Sequence, residues 1–155
     1  MSALPSRLTG GCQCGACRYE LSAKPLFAYM CHCTECRKQT SSAFSASVLV
    51  DANALTLTGP TKSWFRDNEN GPPLEGVFCA ECGTRLMNHY VPRRDRVRLR
   101  MGTLDDVSWW KPAAEFYVSR RMDFLTQVAD VQCAEEAGDG GEMLRAWMKL
   151  FPQQS

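Results

Sequence analysis

The stretch Phe78-Cys79-Ala80-Glu81-Cys82-Gly83 places two cysteines three positions apart and follows the second with glycine. This spacing lets a tight turn direct both sulfurs at one metal ion, and the glycine closes the turn without a Cβ clash. A knuckle of this kind supplies two ligands and requires two more from elsewhere in the chain. Taken alone, a single C-x-x-C pair is also compatible with a redox pair or a chance occurrence.

A second cysteine pair lies in Gly11-Cys12-Gln13-Cys14-Gly15, flanked by glycines. A C-x-C pair at the end of a strand can also present two sulfurs to one ion. We therefore predict that Cys12 and Cys14 join Cys79 and Cys82 in a closed tetrahedral zinc site, which is the structural type.

A third group, Cys31-His32-Cys33-Thr34-Glu35-Cys36, holds three cysteines within six residues. Three ligands leave one tetrahedral position open, as in catalytic zinc sites. Three thiolates make zinc a weak Lewis acid, so an exogenous thiol suits the open position better than an activated water. We expect two zinc ions per chain, with the reactive one on Cys31, Cys33 and Cys36, and a lowered thiol pKa for Cys36 at a helix N-terminus.

Four further residues with possible ligand atoms fit structural roles better. We expect Cys17 to be a buried core thiol, because free cysteine is often fully buried, and Cys133 to be inert. His32 is expected to face solvent between two ligands, and His89 lies in a predicted strand. Either histidine could be a fourth ligand, although lone histidines are more often structural.

Size and cysteine usage bound the remaining possibilities. A chain of 155 residues predicts one domain over residues 1–155, with a core at about 8–128 and a C-terminal extension at 129–155. No apolar run is long enough to cross a bilayer, and residues 1–11 lack a secretory signal, so we expect a cytoplasmic protein without membrane partners. Thiols stay reduced there, which favours metal binding over disulfides.

Alternating apolar residues predict short strands, so the fold class is mainly β. Phe44, Ala46, Val48 and Val50 share one face of a predicted strand, and Ser45 and Ser47 lie on the other. Residues 67–76 are predicted as a loop from their composition, and helices are predicted at Thr34–Thr40 and Glu142–Phe151. The other predicted strands are Arg18–Leu21, Leu26–Met30, Leu55–Thr58, Ser63–Phe65, Val77–Phe78, Arg85–Val91 and Glu115–Ser119.

Arginine occupies every second position from Arg94 to Arg100, so one face of that strand is all arginine. This face could bind carboxylates of a substrate or a phosphate backbone, but we favour a solvated strand face. The formal net charge of +1 becomes slightly negative once the ligand thiols ionise around two zinc ions. A protein of this charge has no global attraction for nucleic acid, so nucleic-acid binding is not expected.

The three cysteine groups together resemble the glutathione-dependent formaldehyde-activating family, which includes the centromere protein V type domains. The resemblance extends through Gly102-Thr103-Leu104-Asp105-Asp106 and covers about residues 8–124. It implies a β-tent of folded-over antiparallel sheets, with a short C-terminal helix added in this chain. It also implies a structural zinc on the residues Cys12, Cys14, Cys79 and Cys82, and an exchangeable zinc on the residues Cys31, Cys33 and Cys36.

The activity implied by the resemblance joins glutathione to formaldehyde, giving S-(hydroxymethyl)glutathione, and is classed as a carbon–sulfur lyase. We therefore expect an enzyme that joins or cleaves thiol adducts of aldehydes, with glutathione or another thiol adduct as substrate. The alternative is a non-catalytic zinc-binding module for a protein partner, since β-tent domains are also used in that way.

Overall fold

The computed structural model describes residues 3–68, 71–135 and 140–152. Strands dominate, so the predicted mainly β class is confirmed, and a short helix ends the described chain. The elements in chain order are β1 Leu8–Gly11, β2 Arg18–Leu21, β3 Phe27–Cys31, α1 Thr34–Thr40, β4 Ser45–Asp51, β5 Leu55–Thr58, β6 Thr61–Asn68, β7 Gly71–Cys79, β8 Arg85–Tyr90, β9 Arg93–Arg100, β10 Ala114–Phe116, β11 Val131–Gln132 and α2 Gly140–Leu150.

The Cα positions divide the described chain into two compact units. The first unit comprises residues 3–4, 27–47, 109–135 and 140–152, and the second comprises residues 5–26, 48–68 and 71–108. The prediction of a single domain over residues 1–155 stays a prediction.

The second unit contains two sets of antiparallel strands. β2 pairs with β1 on one side and with β5 on the other, and β6, β7, β8 and β9 follow one another as a meander. Burial alternates along β2, where Tyr19 and Leu21 are buried while Arg18 is exposed. This is the period-2 pattern that the sequence predicts for a half-buried strand.

The first unit is built differently, because its strands pair in parallel. β10 lies beside β3 on one side and β11 on the other, with Glu115 opposite Met30 and Phe116 opposite Cys31. The implied antiparallel pairing therefore holds in the meander but not here. Parallel neighbours need a long connection, and residues 32–113 provide it.

Two predictions about individual segments are wrong. The segment 67–76, predicted as a loop, is strand wherever the structure describes it, because β6 continues to Asn68 and β7 begins at Gly71, opposite Asn68. Residues 69 and 70 lie outside the described residues. The predicted strand Glu115–Ser119 ends early, because Tyr117 has a φ of 54° and a 3₁₀ turn follows. The loop is predicted from the glycine and prolines of this segment, but these residues form the beginning of β7, where prolines are tolerated.

The C-terminal helix packs through a narrower face than the sequence pattern indicates. Trp147 and Phe151 are buried, and the Trp147 ring lies 5.9 Å from the Phe27 ring of β3. Leu144 and Met148 are 54% and 45% exposed although they share the predicted apolar set. In β4, Ser45 and Ser47 are buried, so the face predicted to be polar is also covered. Across the described residues, every helix is too short or too polar to span a membrane.

A glycine-to-alanine substitution tests the packing of the turn before β6. Gly59 has a φ of 105°, and a Cβ there would lie 2.1 Å from the carbonyl oxygen of Ala16. Because both the conformation and the contact resist a side chain, Gly59→Ala should lower the free energy of unfolding by more than about 2 kcal/mol. Gly102→Ala is the matched control and should change it by less than about 1 kcal/mol, since nothing lies within 4 Å. Equal denaturant midpoints for the two variants would contradict the packing.

Candidate metal sites

Four cysteine sulfurs converge in the second unit. The Sγ atoms of Cys12, Cys14, Cys79 and Cys82 all lie within 4.8 Å of one another. Cys12 and Cys14 are 3.5 Å apart, and Cys14 and Cys79 are 3.8 Å apart. Sulfurs about 2.3 Å from a tetrahedral zinc lie roughly 3.8 Å from each other. The cluster therefore has the donor set and spacing to hold a metal ion, which is consistent with zinc.

Hydrogen bonds hold the two loops of this four-cysteine cluster in register. The Gly83 N–H donates to the carbonyl of Cys79 at 2.9 Å, and Gly83 has the positive φ of 75° that its turn requires. The Cys17 N–H donates to the Cys12 sulfur at 3.2 Å. The Gln13 N–H donates to the Thr84 hydroxyl at 3.1 Å and so ties the loops together.

The thiols of the four-cysteine cluster differ widely in acidity. Hydrogen bonds from Thr84 lower the pKa of the Cys82 thiol to about 5. A hydrogen bond with the backbone of Ala16 favours the Cys14 thiolate, but hydrogen bonds with Cys12 and Cys82 outweigh it and raise the pKa of Cys14 to about 12. Adjacent thiolates repel one another, so a divalent cation is what allows all four to ionise together.

Cys17 lies outside the cluster and is a core thiol, as predicted. It is fully buried, and its Sγ donates to the carbonyl oxygen of Pro60 at 3.1 Å. Burial raises the pKa of Cys17 to about 12. Cys133, at the end of β11, is partly exposed and belongs to neither cysteine cluster.

Three sulfurs converge in the first unit. Cys31 ends β3, Cys33 is the N-cap of α1, and Cys36 lies in the first turn of that helix. Their sulfurs lie within 4.8 Å of one another, and no fourth Cys, His, Asp or Glu of the described residues joins them. This three-cysteine cluster could also hold a metal ion. The Cys36 N–H donates to the Cys33 sulfur at 3.3 Å, which orients Cys33 toward the helix.

The expected lowering of the Cys36 pKa is wrong. A hydrogen bond with Cys31 favours the Cys36 thiolate, but a hydrogen bond with Cys33 and burial outweigh it and raise the pKa. Hydrogen bonding with Cys33 and Cys36 raises the pKa of Cys31 as well.

His32 does not face solvent, which corrects the sequence-based expectation. Its side chain is completely buried, and Nε2 lies 3.0 Å from Glu115 Oε2. A carboxylate can only accept, so Nε2 carries the proton in this pair. The ring packs 5.8 Å from the ring of Phe44, and the His32 N–H donates to the carbonyl of Phe116 at 3.0 Å. The residue between two candidate ligands is therefore anchored to β10.

Glu115 is the centre of a buried network that the sequence analysis did not identify. Its Oε1 accepts from the N–H groups of Val128 at 2.5 Å and Ala129 at 2.8 Å, and its Oε2 accepts from Arg121 at 2.7 Å. Burial alone would raise the pKa of Glu115, but these hydrogen bonds and His32 lower it to about 2. A lone glutamate between Ala114 and Phe116 in an apolar strand was the only sequence signal.

His89 also has a structural role, as the sequence favoured. It lies in β8 and is 8% exposed. Its Nε2 is 3.0 Å from Glu75 Oε2 and 3.0 Å from an Arg94 nitrogen, while Ser63 donates to the same carboxylate at 2.6 Å. His89 belongs to neither cysteine cluster, so it is not a ligand there.

Comparisons with known proteins identify one matching family and a solved structure of similar fold. Residues 7–120 match the model of a family described as "Glutathione-dependent formaldehyde-activating enzyme". A crystal structure of a Rhodobacter sphaeroides protein aligns with a TM-score of 0.51 at 18% sequence identity, covering 64% of this chain and 90% of that chain. At this identity the structural likeness concerns the fold alone.

Single cysteine substitutions test the two clusters by metal content. Cys79→Ser and Cys36→Ser should each reduce bound zinc from two equivalents per chain to one, because a lost thiolate opens each site to competing chelators. Cys79→Ser should also lower the melting temperature more, since its site joins segments far apart in sequence. Elemental analysis and calorimetry measure both quantities. Cys17→Ala is the control and should retain both ions; loss of an ion there would contradict the assigned ligand sets.

Acid titration tests the buried carboxylate. The pKa of Glu115 is lowered to about 2 in the folded protein, so its stabilisation is present above its unfolded pKa near 4.5 and is lost as the pH falls toward 2. Glu115→Gln should therefore cost about 3 kcal/mol at pH 7, and the difference from wild type should shrink below about pH 4.5. Urea unfolding at each pH measures it. The exposed Glu135→Gln should change stability little at any pH, and a pH-independent deficit in Glu115→Gln would contradict the argument.

Proposed function

This chain belongs to the glutathione-dependent formaldehyde-activating enzyme family, and from that premise we propose that it is a zinc-dependent enzyme of carbon–sulfur lyase type. It would join or cleave thiol adducts of aldehydes, with glutathione or another thiol as the sulfur donor. The observation that carries the proposal is the three-cysteine cluster, in which Cys31, Cys33 and Cys36 are joined by no fourth ligand among the described residues.

The two clusters suit different roles on this proposal. Cys12, Cys14, Cys79 and Cys82 would complete the coordination of a structural zinc and leave no position for a substrate. Cys31, Cys33 and Cys36 would hold the second zinc as the ligands of the reactive site. Zinc bound there would supply a cation that favours the thiolate form of an incoming thiol near neutral pH.

The chain's own residues would position that thiol and limit competing chemistry. In the joining direction the thiol gives up its proton, its sulfur forms a bond to the aldehyde carbon as the carbonyl π bond breaks, and the carbonyl oxygen takes up a proton. Cleavage reverses these changes, so no oxidant or reductant is needed. His32 and Glu115 hold the loop between Cys31 and Cys33 against β10, through a pair that is entirely buried. A fixed loop keeps the donor sulfurs in place when a ligand enters or leaves, which reduces the entropic cost of each exchange.

Turnover by a cysteine variant tests the proposal. Cys36→Ala should abolish detectable adduct formation from glutathione and formaldehyde, because the reactive site loses a ligand, while one zinc equivalent and the fold remain. Formaldehyde consumption, zinc content and circular dichroism measure the three quantities. Cys133→Ala is the matched control and should keep wild-type turnover. If the wild-type protein shows neither thiol–aldehyde joining nor thioether cleavage above the uncatalysed rate, the proposal fails.

A non-catalytic zinc-binding module for a protein partner is the second candidate. It is favoured by Trp64 and Phe65 of β6, which are 53% and 56% exposed, since exposed aromatic residues are enriched at protein interfaces. The response of the metals to glutathione separates the two functions. One labile zinc whose coordination changes with glutathione supports the enzyme, whereas two inert zinc ions favour the module.

A further inference from the structure

The meander of the second unit carries a row of arginines on one face. Residues directly opposite each other in antiparallel strands point to the same face. Trp64, Gly76, Asn88 and Arg98 are successive Cα partners across β6, β7, β8 and β9. Because side chains alternate along a strand, Arg66 shares the face of Trp64 and Arg100 shares the face of Arg98. Phe78 shares the face of Gly76, and its partner Arg85 therefore lies on this face too. We call Arg66, Arg85, Arg98 and Arg100 the arginine face.

The sequence favoured a solvated face for the arginines at alternate positions from Arg94 to Arg100, and this holds for Arg94 but not for Arg98 and Arg100. Arg100 is only 6% exposed, and Arg66, Arg85 and Arg98 are partly buried. The Nη1 atoms of Arg85 and Arg98 are buried without a hydrogen-bond acceptor among the described residues, and the side-chain oxygen of Asn88 is buried without a donor. Buried guanidinium groups are normally paired with an acceptor, because their desolvation is costly.

Acidic side chains nearby are engaged elsewhere. Glu75 Oε2 forms an ion pair with Arg94 Nη1 at 2.8 Å, and Asp95 Oδ2 lies 3.6 Å from Arg96 Nη1. In the described part of the chain, no carboxylate lies within ion-pair distance of Arg85 or Arg98. Burial lowers the pKa of Arg85, and the positive charges of Arg100 and Arg66 lower it further. Arg85 therefore lies among like charges, and neither Arg85 nor Arg98 has a carboxylate counter-charge among the described residues.

Aromatic rings and a glycine position two of these guanidinium groups. The Arg98 guanidinium carbon lies 4.2 Å from the centre of the Tyr90 ring, and that of Arg85 lies 5.7 Å from the centre of the Phe78 ring. An aromatic ring contacts one face of a guanidinium and leaves its in-plane N–H groups available to an anion. The Arg85 Nη1 would lie 1.9 Å from a Cβ at Gly76, so the glycine provides the space that this group occupies.

We propose that the arginine face binds a small oxyanion, a carboxylate or phosphate group, and that Arg85 and Arg98, which have nitrogen atoms without acceptors, are its donors. A positioned guanidinium group can donate paired N–H groups to such an anion, which supplies the counter-charge that Arg85 and Arg98 lack among the described residues. Partial burial and ring contacts suit a small ligand better than a nucleic-acid duplex, which needs an exposed cationic surface. This site is separate from the proposed thiol chemistry and stands or falls independently of it.

Calorimetric titration of the zinc-loaded protein with two probes tests the site. Inorganic phosphate and S-methylglutathione share oxyanion chemistry, and neither has a free thiol to ligate a metal. Saturable binding of at least one probe, weakened by added salt, is the expected result, and which probe binds identifies the source of the anion. Absence of saturable binding for both, or binding of duplex DNA alone, would overturn the proposal. A failure of thiol turnover has no bearing on either outcome.

Three variants and a control assign the binding to the arginine face. Arg98→Gln and Arg85→Gln should weaken the bound probe about tenfold or more, since each removes charge-assisted hydrogen bonds. Gly76→Ala should weaken it too, although no charge changes, because the new Cβ displaces the Arg85 guanidinium. Arg96→Gln is the matched control: it removes the same charge from β9 at an ion-paired position and should leave the affinity within about twofold. Equal losses in Arg96→Gln and Arg98→Gln would refute the site.

Thermal unfolding separates ligand binding from a purely structural role. Without the probe, Arg85→Gln should melt at or above the wild-type temperature, because it removes a repelling charge. The probe should raise the melting temperature of the wild-type protein and not of Arg85→Gln. A lower melting temperature for Arg85→Gln, together with equal stabilisation of both proteins by the probe, would indicate a structural arginine and overturn the proposal.

Discussion

Convergence of four cysteine sulfurs from residues 12–14 and 79–82 is the constraint on which the second unit depends. The two loops that carry them are separated by 65 positions between Cys14 and Cys79, so a metal held between them closes a long segment of chain. Hydrogen bonds from Gly83, Cys17 and Gln13 keep the loops in the required conformation. Because ionised thiolates repel one another, a cation bound at this cluster would allow all four to ionise and would couple folding of this unit to metal binding.

The two cysteine clusters are supported by different parts of the protein. The four-cysteine cluster is held by backbone turns, whereas the three-cysteine cluster is anchored through His32 to a completely buried Glu115. That carboxylate also accepts hydrogen bonds from the backbone N–H groups of Val128 and Ala129 and from the guanidinium of Arg121. A buried charge with this many donors is costly to disturb, so the loop that bears the candidate reactive cysteines is tied to the C-terminal part of the first unit.

At the arginine face the arrangement is the opposite for Arg85 and Arg98, which have no acidic partner among the described residues. Glu115 is saturated with donors, while Arg85 and Arg98 retain nitrogen atoms without acceptors. An uncompensated group of this kind lowers the stability of the fold, and such costs are typical of sites built for a ligand. The first unit thus contains a buried carboxylate whose charge is balanced by its hydrogen-bond donors, whereas the second contains guanidinium groups without acceptors for all their nitrogen atoms.

Local patterns in the sequence predicted the two cysteine clusters that the structure brings together, most of the strands and the short helix after Cys33, because cysteine spacing and side-chain periodicity act over a few residues. The Cys12–Cys14 and Cys79–Cys82 pairs could be matched because a tetrahedral ion needs four donors. Only the tertiary structure decided the burial of His32, its pairing with Glu115, and the partners of the arginines along β9. These depend on which strands lie side by side: β10 reaches β3 across some eighty residues of chain, and β8 supplies Tyr90 beneath Arg98. A strand's own alternation identifies its two faces, but what covers each face is set by residues distant in the sequence.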